Sequence, residues 1–523
     1  MTRLLHHSVV ESAKRNASKS AFRFDGESIS YGELDKRSDQ LARLLFEKGV
    51  LPSDRVGIFM NKCLELPVSV YGILKAGAAF VPIDPTAPTD RIQFIVENCG
   101  IQLLVTNSSK KRQINALIER CEAVSTVIGL EIEGKESFAW DTVFKGSDAL
   151  VDVELDEECL AYIMYTSGST GCPKGLMHTH RSGLNYAIHS ARLYDVGPSD
   201  VLGNHSPLHF DMSTFEFLTG PYCGSTTVLI PEDVTMFPVS LGQLIEAEKL
   251  TFWYSVPLAL IQMINQGELE KRDLSSLRWV NFGGEPFPPK YLRSLMDLIP
   301  TARFSNVYGP AEVNQCTYYH VPNRSSLEDE AVPLGKVWEG AKGKVINEHD
   351  KEVQSGEVGE LIICSKTMML GYWRRDDLSE RAFLRTATDS GNEEVYYRTG
   401  DLVRRNNSGE LLFLGRRDRQ IKMRGYRVEL DEIENILSTH GDVEEAAVVA
   451  IANAEGESEI WAAVTVKSDG DIAGSDLRIF ASGKLPAYCV PQRIEMRDSF
   501  PRTTSGKIDR NSLRAEFLRE RGV

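Results

Sequence analysis

The chain has 523 residues, with 59 Lys plus Arg against 74 Asp plus Glu and a formal net charge of −15 at pH 7. Its 42% apolar and 25% charged content is that of a folded globular protein and excludes collagen-like, fibrous and broadly disordered classes. The acidic balance argues against nucleic acid as a main partner, because affinity there comes from neutralising phosphates. No apolar run approaches the ~18 residues of a membrane-spanning helix, and residues 1–8 lack the apolar core of a signal peptide. Nine cysteines without a CxxC pair read as small buried hydrophobes of a reducing compartment. The expectation is a cytoplasmic protein with neither membrane nor nucleic acid among its partners.

In chain order, Ser30 is a helix N-cap and Glu33 completes a capping box. Leu34, Leu41, Leu44 and Leu45 repeat at helical spacing until Gly49 ends the helix. The pattern predicts a strand over 55–60, a helix over 64–75 ending at Gly77, and a strand over 79–83 closed by Asp84-Pro85. A helix over 91–97 and a strand over 103–106 follow. Strands alternating with helices imply crossovers and a parallel sheet. From 340 to 415 the texture becomes β-rich, with short runs at 358–364 and 411–414. A helix over 430–440, strands over 446–452 and 460–466, and a helix over 477–485 stopped by Pro486 predict a final α+β unit. The expected architecture is α/β. A large N-terminal core (1–415) of α/β subdomains carries a β-rich subdomain at about 340–415, and a hinge at 416–419 leads to a small mobile C-terminal α+β domain (420–523).

The strongest chemical signal follows the predicted strand 160–164: Tyr165-Thr166-Ser167-Gly168-Ser169-Thr170-Gly171-Cys172-Pro173-Lys174-Gly175. Glycines let backbone N–H groups approach an anion, hydroxyls donate hydrogen bonds and lysine supplies charge, so the string reads as a phosphate-gripping loop. It is not a Walker A loop, because Pro173 precedes Lys174 and Gly175 follows it.

Further strings stand at Lys75-Ala-Gly-Ala-Ala-Phe-Val-Pro-Ile-Asp-Pro85, Asn306-Val-Tyr-Gly-Pro-Ala-Glu312 and Tyr397-Arg-Thr-Gly-Asp401. Two more are Gly415-Arg-Arg-Asp-Arg-Gln-Ile-Lys-Met-Arg-Gly425 and Pro501-Arg-Thr-Thr-Ser-Gly-Lys507. In this order and spacing, over nearly the whole chain, they resemble the adenylate-forming superfamily of acyl-CoA synthetases, luciferases and adenylation domains of nonribosomal peptide synthetases. The resemblance implies ATP and Mg²⁺ as cofactors. Implied ATP contacts are Thr166, Ser167, Gly168, Ser169, Thr170, Gly171 and Lys174 on the loop. Gly284, Glu285, Asn306, Tyr308, Gly309 and Pro310 follow, with Tyr308 packing on adenine. Glu312 is the implied magnesium ligand, and Asp401, with Arg416, the implied ribose contact. Lys507, Glu312 and Thr170 are the implied catalytic residues, with Lys507 neutralising carboxylate against α-phosphate. Such a reaction is mostly positioning and charge neutralisation.

For the carboxylate substrate, His205 and His209 are four apart, but Pro207 and the missing HExxH glutamate make a zinc site improbable. Asp211 falls where amino-acid-activating members of the family keep an aspartate for the substrate α-ammonium. By motif, the pocket would be lined by Asp211, Met212, Phe215, Tyr254, Val280, Phe282, Gly283, Val307, Gln315 and Cys316, with Lys507. Phe282 stands where larger substrates usually face a small residue, which implies a small or compact amino acid of the proline, alanine or glycine class. The chain thus resembles a stand-alone amino acid–carrier protein ligase, with an acyl-CoA ligase for a non-amino acid as the alternative. Asp418 is the implied hinge. The basic run 416–427 reads as an edge facing phosphate or an acidic carrier. Sixteen residues follow Lys507, so the acceptor thiol is expected on a separate molecule, a free-standing phosphopantetheinylated carrier protein or coenzyme A.

Overall fold

A computed structural model of the chain describes residues 4–151, 153–168, 172–322, 331–387, 393–423, 425–452, 458–467, 470, 472–503 and 507–521. The local signals are expressed as structure. Ser30 Oγ accepts the Glu33 N–H at the start of the helix Tyr31–Glu47, and Gly49 follows that helix at φ +81°. Next come Arg55–Phe59, Glu65–Lys75, Ala79–Pro82, Thr89–Cys99 and Leu103–Thr106, alternating strand and helix.

The fold is α/β. An eight-stranded sheet runs Gly371–Tyr372, Lys174–Thr179, Leu160–Thr166, Ala79–Pro82, Arg55–Phe59, Leu103–Thr106, Thr126–Gly129 and Glu136–Ala139. From Leu160–Thr166 to Glu136–Ala139 its neighbours pair in parallel. A nine-stranded sheet has the strands Val201–Asn204, Phe252–Ser255, Trp279–Gly283 and Arg303–Tyr308 side by side and parallel at its centre. Thr317–His320 then pairs antiparallel with Arg303–Tyr308. Both faces of this centre are buried, one under a cluster around Trp253 and Phe304, the other under a cluster around Phe215 and Tyr254. The β-rich stretch forms a five-stranded antiparallel sheet containing Val358–Cys364, Glu393–Arg405 and Leu411–Arg416. Beyond it, Val443–Ala452, Ser458–Val466 and Arg493–Met496 make a three-stranded sheet carrying the helices Leu430–Ser438, Gly474–Ser482 and Arg510–Glu520. No helix among the described residues is long and apolar enough to cross a membrane.

Contacts divide the chain into two compact units. The first comprises Met1–Ile83, Val96–Met164 and Gly175–Arg417; the second comprises Asp84–Ile95, Tyr165–Lys174 and Asp418–Val523. Two short segments that the sequence places in the N-terminal core thus group with the C-terminal part. Their attachments are specific. Arg91 pairs with Glu432 at 2.9 Å, both nearly inaccessible, and Ser167 Oγ donates to the Arg427 carbonyl at 2.8 Å. A buried charge left without its partner is strongly unfavourable, so the Arg91–Glu432 pair holds its segment firmly.

Three histidines of the first unit are buried and neutral. Burial pushes the imidazoles of His178 and His180 down to about 4, and that of His205 to about 3. In the unfolded chain each would titrate near ~6.5. Between those values the unfolded chain binds more protons, so stability is complete above ~pH 6.5 and falls as the pH drops through the window. At ~pH 5.5 the loss is about 1.4 kcal/mol per histidine. Urea unfolding at pH 7.5, 6.5 and 5.5 should show a midpoint that is steady and then drops; a midpoint unchanged down to pH 5.5 would contradict the neutral burial.

Candidate active site

In the first unit, strand pairing places Asp401 opposite Arg416. Arg416 Nη1 donates to Asp401 Oδ1 at 2.6 Å and to the Thr399 carbonyl at 3.1 Å. The other Asp401 oxygen accepts the Tyr308 hydroxyl. Burial and the Asp401 carboxylate together push that hydroxyl well above the ordinary tyrosine range. Tyr308, Asp401 and Arg416 are therefore brought together as one hydrogen-bonded group at the end of the strand Arg303–Tyr308. Asn306 is engaged elsewhere, its Nδ2 donating to the Pro333 carbonyl at 2.8 Å. Gly309 is obligatory in the adjoining turn, since a Cβ there would lie 1.6 Å from the Asn314 carbonyl oxygen.

Glu312 is wholly inaccessible. Its Oε1 accepts the Tyr372 hydroxyl at 2.7 Å, and its carbonyl accepts the Met369 N–H at 2.8 Å. His178 hydrogen-bonds the Ala311 carbonyl next door at 3.0 Å. Among the described residues no group of three or more His, Cys, Asp or Glu could hold a metal. The single carboxylate of Glu312 is the kind of donor Mg²⁺ takes, since that ion binds through one or two carboxylates and draws its other ligands from substrate phosphates and water. Tyr372 went unnoticed in the sequence because its partner lies 60 residues away.

Asp211 begins the 3₁₀ turn Asp211–Ser213, and its Oδ1 accepts the Met212 N–H at 3.0 Å. Thr214 Oγ1 donates to the Asp211 carbonyl and to Asn314 Oδ1, and Asn314 Nδ2 donates to the Tyr162 hydroxyl at 3.2 Å. Asn314 has φ +59°, a conformation asparagine tolerates better than most residues. The approach to Asp211 is held by buried Lys62, whose Nζ donates to the carbonyls of Asn204 and His205 at 2.8 and 2.7 Å. Burial brings the Lys62 ammonium down to about 8 and raises the Glu216 carboxyl to about 8; Asn204 Nδ2 hydrogen-bonds Glu216. The Lys62, Asn204 and Glu216 supports carried no local sequence signal. His205 stands with its ring 5.5 Å from Trp253.

The predicted pocket residues divide between clusters. Met212, Phe215, Tyr254 and Val307 share one with Tyr194 and Trp279. Phe215 meets Tyr254 edge-on at 6.0 Å and Tyr194 at 5.9 Å. Gln315 joins this side, donating to the Tyr194 hydroxyl at 3.0 Å. Gly283 lies in register with Val307, where a Cβ would sit 2.2 Å from the Val307 carbonyl oxygen. Val280 and Phe282 do not join this group. They pack on the opposite face of the sheet with Trp253 and Phe287, because alternate residues of a strand face opposite ways. Cys316 packs with Val313 and Leu176 in a third cluster. The narrowing attributed to Phe282, and with it the restriction to proline, alanine or glycine, loses its support.

In the second unit Gly168 lies close to Cys172: a Cβ on Gly168 would come within 2.1 Å of the Cys172 carbonyl oxygen. Thr166 Oγ1 is buried without a hydrogen-bond partner among the described residues, while Ser167 Oγ donates to the Arg427 carbonyl. Ser169, Thr170 and Gly171 lie outside the described residues. Lys507 is exposed, and its carbonyl accepts the Thr503 N–H at 2.8 Å.

The basic run 416–427 is less open than its sequence suggests. Arg417 pairs with Glu360 at 2.6 Å. Arg419 pairs with Asp431 and with Glu434, the latter at 2.7 Å, and Arg510 joins the same Glu434 at 2.8 Å. Burial alone would raise the Glu434 carboxyl, but hydrogen bonds from Arg510 and Arg419 outweigh it and hold the group below its ordinary value. These arginines are structural within their own units, which corrects the reading of them as a free landing edge for a carrier. Arg419→Glu should destabilise the protein by about 2–3 kcal/mol, discounted from the ~3–5 kcal/mol of a fully buried pair because Arg419 is 29% exposed. Lys422→Glu, on an exposed side chain, should change stability by less than about 0.5 kcal/mol. Urea unfolding of both variants is the check, and equal small effects would refute the structural role.

The AMP-binding enzyme family matches residues 9–373, and the AMP-binding enzyme C-terminal domain matches residues 432–507. The chain belongs to this family and is an AMP-forming ligase. It is 30% identical over 512 residues to an L-proline–[L-prolyl-carrier protein] ligase of Pseudomonas fluorescens, covering 98% of this chain and 99% of that one. It is 32% identical over 511 residues to tyrocidine synthase 3 of Brevibacillus parabrevis, covering 97% of this chain and spanning 8% of that protein's length. Among solved structures, the amide bond synthetase McbA from Marinactinospora thermotolerans shares the fold with a TM-score of 0.86 at 24% identity, covering 98% and 99% of the two chains.

Proposed function

We propose that the protein activates an α-amino acid with Mg-ATP and passes it to the phosphopantetheine thiol of a separate carrier protein. In the first step a carboxylate oxygen attacks the α-phosphorus of ATP and the bond to pyrophosphate breaks, giving aminoacyl-AMP. In the second, the thiol sulfur attacks the acyl carbon, AMP leaves, and the thiol proton goes to solvent. The observation that carries this reading is Asp211, a carboxylate on a turn that adjoins the Phe215–Tyr254 aromatic cluster. A carboxylate there suits an α-ammonium, and a fatty or aryl acid has no use for it. The likeness to the prolyl-carrier ligase, over 99% of that protein, supports both the amino acid and the carrier.

In this scheme Tyr308, Asp401 and Arg416 receive the nucleoside, the loop 166–174 the phosphates, and Glu312 the Mg²⁺, which would neutralise phosphate charge. Asp418 is the hinge about which the C-terminal unit turns, bringing Lys507 to the first step and withdrawing it for the second. ATP–pyrophosphate exchange over all amino acids, both enantiomers included, followed by loading of carrier proteins and of coenzyme A, tests the proposal. Exchange with no amino acid, together with acylation of coenzyme A by a non-amino acid, would establish the acyl-CoA ligase alternative instead.

Two variants separate the roles. Asp211→Ala removes the partner of a desolvated ammonium, at about 3–5 kcal/mol. The amino-acid KM should rise by two orders of magnitude or more, on the order of that energy, while the KM for ATP stays put; an unchanged amino-acid KM would end the assignment. Lys507→Ala should lower pyrophosphate exchange by roughly 10²–10³ yet leave transfer from supplied aminoacyl-AMP nearly intact. Equal losses in both half-reactions would disprove that division of labour.

A further inference from the structure

The strand Glu393–Arg405 changes register where it carries Asp401. Against Val358–Cys364 the antiparallel pairing steps from Glu360–Leu402 to Ile362–Arg398. Thr399, Gly400 and Asp401 therefore stand opposite the single Leu361, two residues more than a regular ladder holds. An even surplus keeps the strand in phase, so Tyr397 and Val403 both reach the cluster of Leu361 and Ile363. Surplus residues disrupt the ladder, and their backbone groups must be met in another way. Here side chains meet them. Glu360 Oε1 accepts the Gly400 N–H at 3.1 Å. Thr399 Oγ1 accepts the Asp401 N–H at 3.1 Å and donates to the Leu361 carbonyl at 2.7 Å. Gly400 turns the chain between them at φ +72°, a region open to glycine. Glu360 and Thr399 are both buried. The second oxygen of Glu360 accepts Arg417 Nη1 at 2.6 Å and Arg398 Nη1 at 3.4 Å, so the buried carboxylate has its counter-charge.

We propose that Glu360 and Thr399 are positioning residues for the nucleoside: they clamp this bulge and so aim the Asp401 carboxylate at the ribose. This rests on the reading of Tyr308, Asp401 and Arg416 as the group that receives the nucleoside. Bulges beside active sites re-aim a side chain. Asp401 keeps its pairing with Arg416 on one side; on the other its backbone depends on the two clamps. Thr399 must donate and accept at once, which a hydroxyl does and the valine of the same shape does not. Glu360 must accept on two oxygens, one for the Gly400 amide and one for the Arg417 guanidinium, and a glutamine has only one such oxygen. Both residues act through Asp401 rather than on the nucleotide, so their removal is felt only where a ribose hydroxyl is present. A hydrogen bond to a charged group is worth about 10–100-fold in affinity.

The test is binding of Mg-ATP, 2′-deoxy-ATP and 3′-deoxy-ATP to the full chain by calorimetry. The wild type should prefer ATP over at least one deoxy analogue by about 10–100-fold. Asp401→Ala should bring that ratio near one. Thr399→Val and Glu360→Gln should each cut the ratio to within about three-fold, by weakening ATP while the deoxy analogue holds its affinity. Thr399→Ser, which keeps the hydroxyl, should keep the ratio. A role in stability alone would weaken all three nucleotides together or lower only the melting temperature, and either result overturns the proposal. A ratio unchanged in Thr399→Val and Glu360→Gln overturns it too, while its loss in Asp401→Ala leaves Asp401 standing as the ribose acceptor. Should one of the two variants not fold, the other decides; failure of both to fold assigns Glu360 and Thr399 to stability and overturns the proposal. A wild type that binds all three nucleotides alike removes it together with the nucleoside reading it rests on.

Discussion

In the interior of a parallel sheet both faces of every strand are buried, and the period of two alone decides which side chains meet a site and which meet the core. The centre of the nine-stranded sheet is governed by this constraint. One phase sends Trp253, Val280 and Phe304 to the helices that pack behind the sheet. The other sends Tyr254, Trp279 and Val307 to the cluster containing Phe215. A shift of one residue in any of these strands would exchange the two sets entirely. Glycines keep the strand ends close: at Gly283 and Gly309 a Cβ would collide with backbone carbonyl oxygens.

On this frame the polar chemistry is organised by a second rule, that buried charge must be met by fixed donors. Asp401 is met by Tyr308 and Arg416. Glu312 is met by Tyr372, Glu434 by Arg419 and Arg510, and Glu432 by Arg91. In each case the partners come from different strands, helices or loops, so the carboxylate is oriented before any ligand arrives. Donors that need no reorganisation at the moment of reaction are what electrostatic catalysis requires.

The contrast between local and long-range information explains what could be read in advance. The Ser30 cap, the Gly49 stop and the strand–helix alternation depend on neighbours in sequence, and they stand as read. The motifs were legible because their residue types are demanded by phosphate and ribose chemistry at short spacing, and Tyr308, Asp401 and Arg416 do converge. The phase of the strand Trp279–Gly283 was not legible. Trp-Val-Asn-Phe-Gly is nearly all apolar, so its pattern carries no sign of which face is which. Motif spacing placed Val280 and Phe282 beside Phe215 and Tyr254, and register places Asn281 on that face instead. The basic run failed as a guide for a related reason. Sequence counts charges, but the acids that neutralise Arg417 and Arg419 lie on Val358–Cys364 and Leu430–Ser438, and only the fold brings them near.

Those two arginines also bear on how the two units are joined. Arg417 is the last residue of the first unit and is tied to Glu360 there, with its own N–H donated to the Gly400 carbonyl at 2.9 Å. Arg419 is tied to Glu434 and, through Nη2, to the Val448 carbonyl at 2.5 Å. Between the two anchors stands Asp418, whose Oδ1 accepts the Gln420 N–H at 3.2 Å. Hinges work by concentrating large φ/ψ changes in a few residues whose neighbours stay rigid. A chain held on both sides by charge-assisted hydrogen bonds has few other dihedrals to spend at this crossing, which is one of five places where the chain passes from one unit to the other. The arginines that looked like a surface for a partner instead fix the chain on either side of this crossing, each within its own unit.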